Sequence, residues 1–184
     1  MSPVDRLYLT DSDEANELVA REPMALLIGF ALDQQITVQK AFTGPLLIKE
    51  RLGTLDAGTL AAADLEAVFR QRPVVHRFPA SMAKKVHGLV LHLIEHHGGQ
   101  AERVWTDAAT TEELRENLNA LPGFGPVKTN GLAGILARRM DVRLAEPLVP
   151  DTPTLGDVDS PEALATYQGY KRDQKAAARA AKEV

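Results

Sequence analysis

Apolar and polar residues follow one another along this chain with the period of a helix, and the stretches where that rhythm stops carry glycine, proline or a capping residue. Asp11 and Glu14 form a capping-box pattern at the start of "DSDEANELVA", and Pro23 stands where a second helix begins. That second segment, "MALLIGFALDQQ", is apolar on nearly every side, the profile of a helix in the middle of a bundle. Thr37 can cap a third, "VQKAFTGPLLIKERLG", which Gly44-Pro45 is expected to bend or break and Gly53 to end. Two short helices are predicted in "LDAGTLAAADLEAVFRQR", with Asp64 capping the second. After "RPVVHRFP", the segment "ASMAKKVHGLVLHLIEHHGG" sets Val86, Leu89, Val90, Leu93, Ile94 and His97 at helical spacing, and Gly98-Gly99 closes it. Thr110 and Glu113 repeat the capping-box pattern ahead of "TEELRENLNAL", whose Leu114, Leu118 and Leu121 line one side. Residues 141–160 hold three prolines and little periodicity, which reads as a long loop with at most a turn of helix. Ser160-Pro161 then opens a last helix whose end, rich in Lys, Arg and Ala, is expected to fray. The pattern predicts an all-α fold without internal repeats.

Composition narrows what such a fold can do. At 184 residues, with 45% hydrophobic and 25% charged residues, the chain suits one compact domain. It has no cysteine, which excludes disulfides, thiolate zinc sites, iron–sulfur clusters and a cysteine nucleophile. No apolar stretch approaches a membrane span and the first residues carry no export pattern, so a soluble, cytoplasmic monomer without membrane contact is expected. The net charge of −4 argues against a protein that merely coats nucleic acid, yet Lys171, Arg172, Lys175, Arg179 and Lys182 gather late in the chain, and Lys128, Arg138 and Arg139 lie not far before them.

The stretch "LPGFGPVKTNGLAG" joins two predicted helices through a tight turn. A helix ending at Leu121, a "PGFG" turn and a helix starting at Pro126 make a helix-hairpin-helix over 111–139. Glycines there permit positive φ and close approach of another molecule to the backbone. The amides of Gly123, Gly125 and the next helical turn, together with the helix dipole, would form an anion site suited to nucleic-acid phosphate. Phe124 is expected to pack beneath the hairpin, and Trp105 in the core or an interface. His92 and His96 are one helical turn apart, but "HLIEH" lacks the carboxylate placement of a metalloprotease helix, so no metal site is expected.

"LPGFGPVKTN" resembles the helix-hairpin-helix of the HhH-GPD superfamily of base-excision DNA glycosylases, which includes endonuclease III and the 3-methyladenine glycosylases. "ALLIGFALDQQITVQKAF" is similar to that superfamily's early central helix and its "QQ-hydrophobic-Ser/Thr" turn, and "FPASMAKKVHGLVLHLIEHHGG" resembles the Lys-bearing helix ahead of its hairpin. Within it the chain looks most like a bacterial group sharing "LLDQQI", "HRFPxSMAKxV" and "LPGFG". The resemblance implies two helical subdomains, 23–125 and 1–22 plus 126–184, flanking a cleft into which a damaged base is turned out of double-stranded DNA and its N-glycosidic bond cleaved. It implies a nucleoid-associated protein with no required cofactor, whose hairpin often holds phosphate through a monovalent cation. Gly123, Phe124, Gly125, Val127 and Lys128 would then meet the DNA backbone. Gln35 matches the side chain that fills the gap left by the flipped nucleotide, with Gln34 and Thr37 beside it.

Two departures from the family pattern shape the expected chemistry. Relatives that also cut the backbone carry Lys two residues after the second hairpin glycine, where this chain has Val127. Lys128 lies about 100° further round the helix and is expected to face elsewhere, so no Schiff-base lyase activity is expected. The family's catalytic aspartate should fall about twenty residues beyond Val127, one helix and a short loop away. Glu146 stands there instead, Asp151 comes later, and Asp33 in "LDQQI" is a third candidate. The expected activity is a monofunctional glycosylase using one of these carboxylates. The competing expectation is a relative that binds distorted DNA, or serves as an adaptor, without hydrolysis.

Overall fold

A computed structural model describes residues 4–182, and among them the chain is helical throughout its regular structure, with no strand. The helices are α1 (Asp13–Arg21), α2 (Pro23–Leu32), α3 (Val38–Leu52), α4 (Ala57–Ala62), α5 (Leu65–Arg70), α6 (Pro79–His97), α7 (Arg103–Thr106), α8 (Thr111–Ala120), α9 (Pro126–Arg139) and α10 (Pro161–Ala180). Two 3-10 turns, Arg143–Leu148 and Leu155–Asp157, order the proline-rich stretch between α9 and α10, more structure than the single turn expected there.

Local chemistry sets most boundaries. Thr37, Asp56, Asp64, Thr110 and Ser160 each accept a hydrogen bond from an amide in the first turn of the helix they precede. Gly53 and Gly98 end α3 and α6 in the left-handed region. Two caps differ from expectation. α1 is capped by Ser12 rather than Asp11, because a tight turn in which Thr10 Oγ1 donates to the Ser12 carbonyl brings Ser12 Oγ over the Ala15 amide. In the second capping box, Glu113 reaches the amide of Ala109, one residue short of the Thr110 cap.

α2 is the central element. Met24 through Leu32 are all buried in it, as its all-round apolar sequence requires. α1 and α3 pack on one side of it and α6 on another, while α4 and α5 brace α6. α8 and α9 form the hairpin, with both 3-10 turns against α9. Of the expected bend or break at Gly44-Pro45, the break does not occur, and α3 continues through both residues. Packing overrides the local cost, about 3 kcal/mol for an interior proline. Phe42 meets Phe30 edge-on at 5.1 Å between centroids, and the Leu32 side chain occupies the space a Cβ on residue 44 would need. Ile94 is exposed rather than buried, since the inward stripe of α6 runs through Val86, Leu89, Val90, Leu93 and His97 and leaves Ile94 at its edge.

One continuous apolar core joins all these elements. Of the expected division, α1 sits against α2 and α3, whereas the segment before it returns to α9 through a hydrogen bond from the Val4 amide to the Arg139 carbonyl. Buried Asn16 holds that segment by accepting from the Leu9 and Thr10 amides and donating to the Thr10 carbonyl.

Candidate nucleic-acid interface

Three pieces of chain far apart in sequence meet at one edge of the core: the loop after α2, the hairpin before α9 and the middle of α10. Phe124, buried at the hairpin tip as expected, lies 6.1 Å from the Phe30 ring, and Gly131 in α9 is kept small by the same ring. Together these contacts fix the start of α9 against the end of α2. Gln39 of α3 and Gln168 of α10 exchange hydrogen bonds of 3.2 and 2.8 Å, which ties α10 to the same region.

In the hairpin, Gly123 has φ of +78°, which accounts for glycine there. Gly125 differs from expectation, with φ of −86° and ψ of −179° in ordinary extended backbone. Nothing lies within 4 Å of where a Cβ on Gly125 would stand, so neither conformation nor packing inside the chain requires glycine. A bare backbone with open space above it leaves room for a ligand. No side chain caps α9, and Pro126 occupies its first position, so the following amides of the first turn are left without a side-chain partner. Val127 is 66% exposed. Thr129, one turn in, is buried and its hydroxyl has no hydrogen-bond partner.

Lys128 turns inward, away from the exposed side of the helix that carries Val127. Its amine donates to the Ala31 carbonyl at the end of α2 (3.3 Å) and lies 5.9 Å from the centre of the Phe124 ring. Burial pushes it down to about 8, Asp33 opposing that shift and Lys85 adding to it. Asp33 ends α2, and burial raises its carboxyl above the usual range while Lys128 and Lys171 pull it back. Tyr167 of α10 is pushed up to about 12 by burial, with Asp33 and Tyr170 acting in the same direction. Asp33, Lys128, Tyr167 and Lys171 therefore form one electrostatic unit across three elements.

The α2–α3 loop is anchored beside it. Phe78's amide donates to His76 Nδ1, so the proton of this buried ring is on Nε2, which donates to the Gln34 carbonyl at 3.0 Å. Burial lowers the His76 pKa, which keeps the ring neutral. Lys85 Nζ donates to Gln34 Oε1 at 2.6 Å. With Gln34 anchored on both sides, Gln35 is exposed and adopts φ of +57°, a conformation that a non-glycine residue takes at some cost. Thr37, exposed, is committed to capping α3.

The other carboxylate candidates lie elsewhere. Glu146 is exposed in the turn Arg143–Leu148, whose Leu144 carbonyl accepts from Thr111 at the start of α8. The hairpin glycines follow the other end of that helix, about 15 Å away for ten residues. Asp151 is exposed at a cavity of about 480 Å³ that also holds Arg138, Asp157, Tyr167 and Tyr170. A smaller cleft, about 190 Å³, opens beside it between Val127 and Asn130 of α9 and Tyr170 and Lys171 of α10. Of the three, Asp33 alone shares the electrostatic unit with Lys128.

Sequence reasoning missed His76, Lys85, Tyr167 and Lys171 as parts of this site. His76 opens "HRFPxSMAKxV" and Lys85 falls on its second unspecified position, but their target, Gln34, is more than forty positions earlier, which no local pattern indicates. Among the described residues no group of three or more His, Asp or Glu side chains gathers as a metal site, and the His92 and His96 rings lie 4.5 Å apart at a tilt of 44°. No helix among them is long and apolar enough to cross a membrane. Compared with protein-family models, curated proteins and solved structures, the chain has no match.

Proposed function

We propose that this protein binds double-stranded DNA through the hairpin and hydrolyses the N-glycosidic bond of a damaged base turned out of the duplex, as the resemblance to the HhH-GPD superfamily implies. The observation that carries the reading is the meeting of Asp33 with the uncapped start of α9 and the unfilled space over Gly125. A phosphate taken by the hairpin amides, with or without a monovalent cation between, puts the adjoining sugar beside the end of α2. There the Asp33 carboxylate offsets positive charge developing at C1′ as the bond to the base breaks. The bonding pair leaves on the base nitrogen, which takes a proton from solvent, and Asp33 accepts the proton of the water that adds to C1′. Lys128 helps to keep Asp33 ionised in its half-buried setting, and exposed Gln35 fills the gap in the stack.

The test is single-turnover excision on duplexes carrying alkylated, deaminated or oxidised bases, scored after alkaline cleavage so that no lyase step is needed. Excision of at least one base, lost in Asp33→Asn and kept in Glu146→Gln and Asp151→Asn, is the expected result. Loss in Asp151→Asn alone would move the catalytic role to the cavity beside Tyr167. Absence of excision from the whole panel with salt-sensitive binding intact would favour the second reading, a DNA-binding relative without hydrolysis. That reading draws on Asp33's being drawn inward, where Lys128 competes with substrate for its charge.

A further inference from the structure

We infer that the distal half of α10 is a second DNA-binding element, an arm that lies along the duplex phosphates beyond the hairpin. The inference rests on the DNA-binding reading above and adds a surface which that reading does not use. α10 has two unlike halves. In the first, Leu164 is buried and Gln168 is hydrogen-bonded to α3. From Lys171 to Lys182 every residue is exposed, so no other part of the described chain covers any face of the helix.

The composition of that bare half selects its partner. "KRDQKAAARAAK" contains no Leu, Ile, Val, Met or aromatic residue, so a partner seeking apolar burial finds nothing to bury. At about 100° per residue, Lys171, Arg172, Lys175, Arg179 and Lys182 all fall within an arc of about 100°, while Asp173 lies opposite. The stripe is about 16 Å long, a length over which duplex DNA carries about ten phosphates. Its first member, Lys171, lines the cleft with Val127 and Asn130 of the hairpin helix and acts on Asp33, so the stripe starts where the proposed interface ends. A second copy of the chain could offer the acidic groove of Glu14, Glu17, Glu22 and Glu50. Within that groove, however, Lys49 is paired with Glu22 and Arg21 with Glu17, which leaves less charge for an arm to seek.

The experiment measures affinity for an undamaged duplex of about thirty base pairs across a salt series, for the full chain and three variants. The first removes the stripe beyond the cleft: Arg172→Gln, Lys175→Gln, Arg179→Gln, Lys182→Gln. The second adds Asp173→Asn, Ala177→Lys, Ala180→Lys and Ala181→Lys to those four changes, restoring the net charge on the opposite face and leaving Gln174, which lines the cleft, untouched. The third is Gly125→Glu, which fills the open space over the hairpin in backbone that any residue adopts. Loss of the stripe should make the slope of log affinity against log salt shallower by about three to four, with affinity near 0.1 M salt down by at least about tenfold. Relocated charge should recover less than half of that loss.

An unchanged slope in the first variant overturns the arm and leaves the hairpin reading standing. Full recovery in the second shows that net charge alone acts and overturns the oriented stripe. If Gly125→Glu binds as the full chain does while the first variant fails, the arm stands and the hairpin reading falls. A wild-type dimer by light scattering that dissociates in the first variant, with no DNA bound by either, assigns the stripe to a second copy and overturns the proposal.

Discussion

At the scale of single residues, Asp33 and Lys128 hold each other in opposite charge states against the burial that moves both toward neutrality. The proposed chemistry needs Asp33 as an anion, so excision should rise with pH through a pKa above that of an ordinary aspartate. It should change again near pH 8, as Lys128 gives up its proton and Asp33 loses its counter-charge. The limbs belong to the pair, since each group's titration depends on the other. Lys128→Met should displace the acidic limb to higher pH, and a pH–rate profile of the two proteins reads this directly. Asp33→Asn should lower the single-turnover rate by about 10²–10⁴-fold with duplex affinity within about threefold of wild type. His76→Asn tests the support of the loop, since it removes the bond to the Gln34 carbonyl. A rate loss of about tenfold is expected there while hairpin binding persists.

At the scale of elements, the stretch after α9 is a packed layer rather than a slack loop. In the turn Leu155–Asp157, Thr154 accepts from the Gly156 amide while its own amide donates to Asp157, and Arg138 pairs with Asp157. The turn presses onto α9 so closely that a Cβ on Gly156 would collide with the backbone of Gly134. Backbone cannot swing aside, so Gly156→Ala should cost about 2–4 kcal/mol, seen as a lower urea midpoint. Gly88, inside α6, has nothing within 4 Å of its Cβ position, and Gly88→Ala should stabilise the fold by about 0.5–1 kcal/mol, seen as a higher urea midpoint.

The contrast shows what was legible in the sequence. Helix starts could be read because a cap and its amide lie three residues apart, and α2 could be placed at the centre because its own residues leave no polar face. Pro45 in an unbroken α3, the Gly134–Gly156 contact and the inward reach of Lys128 could not, because each depends on partners distant in sequence. For the same reason "LPGFGP" marked the hairpin, whereas nothing in "LDQQ" told that His76 and Lys85 hold it.

At the scale of the whole molecule, the buried histidines give stability a direction in pH. Burial lowers His76, His92 and His97 below their ordinary value of 6.5, and His92 Nε2 has no hydrogen-bond partner. The unfolded chain therefore binds more protons than the folded one between 6.5 and those lowered values. Stability is complete above 6.5 and falls as the pH drops through that window. Asp33 acts in the opposite sense lower down, because its raised pKa lets the folded state take up a proton first. The urea midpoint should be lower at pH 5 than at pH 7.5, and the difference should shrink in His97→Leu.

α10 shows a further consequence of having one half packed and the other bare. A helix of its distal length on its own would be mostly unwound in water, and here the packed half supplies the nucleus from which its Ala-rich turns propagate. Amide deuterium exchange should record this as a gradient along a single helix. Protection near Leu164 should approach that of the core, and it should fade turn by turn to almost none near Lys182. Any polyanion that stops this fading would do so by freezing backbone the protein had already half ordered, and would forfeit less entropy than in winding a free peptide.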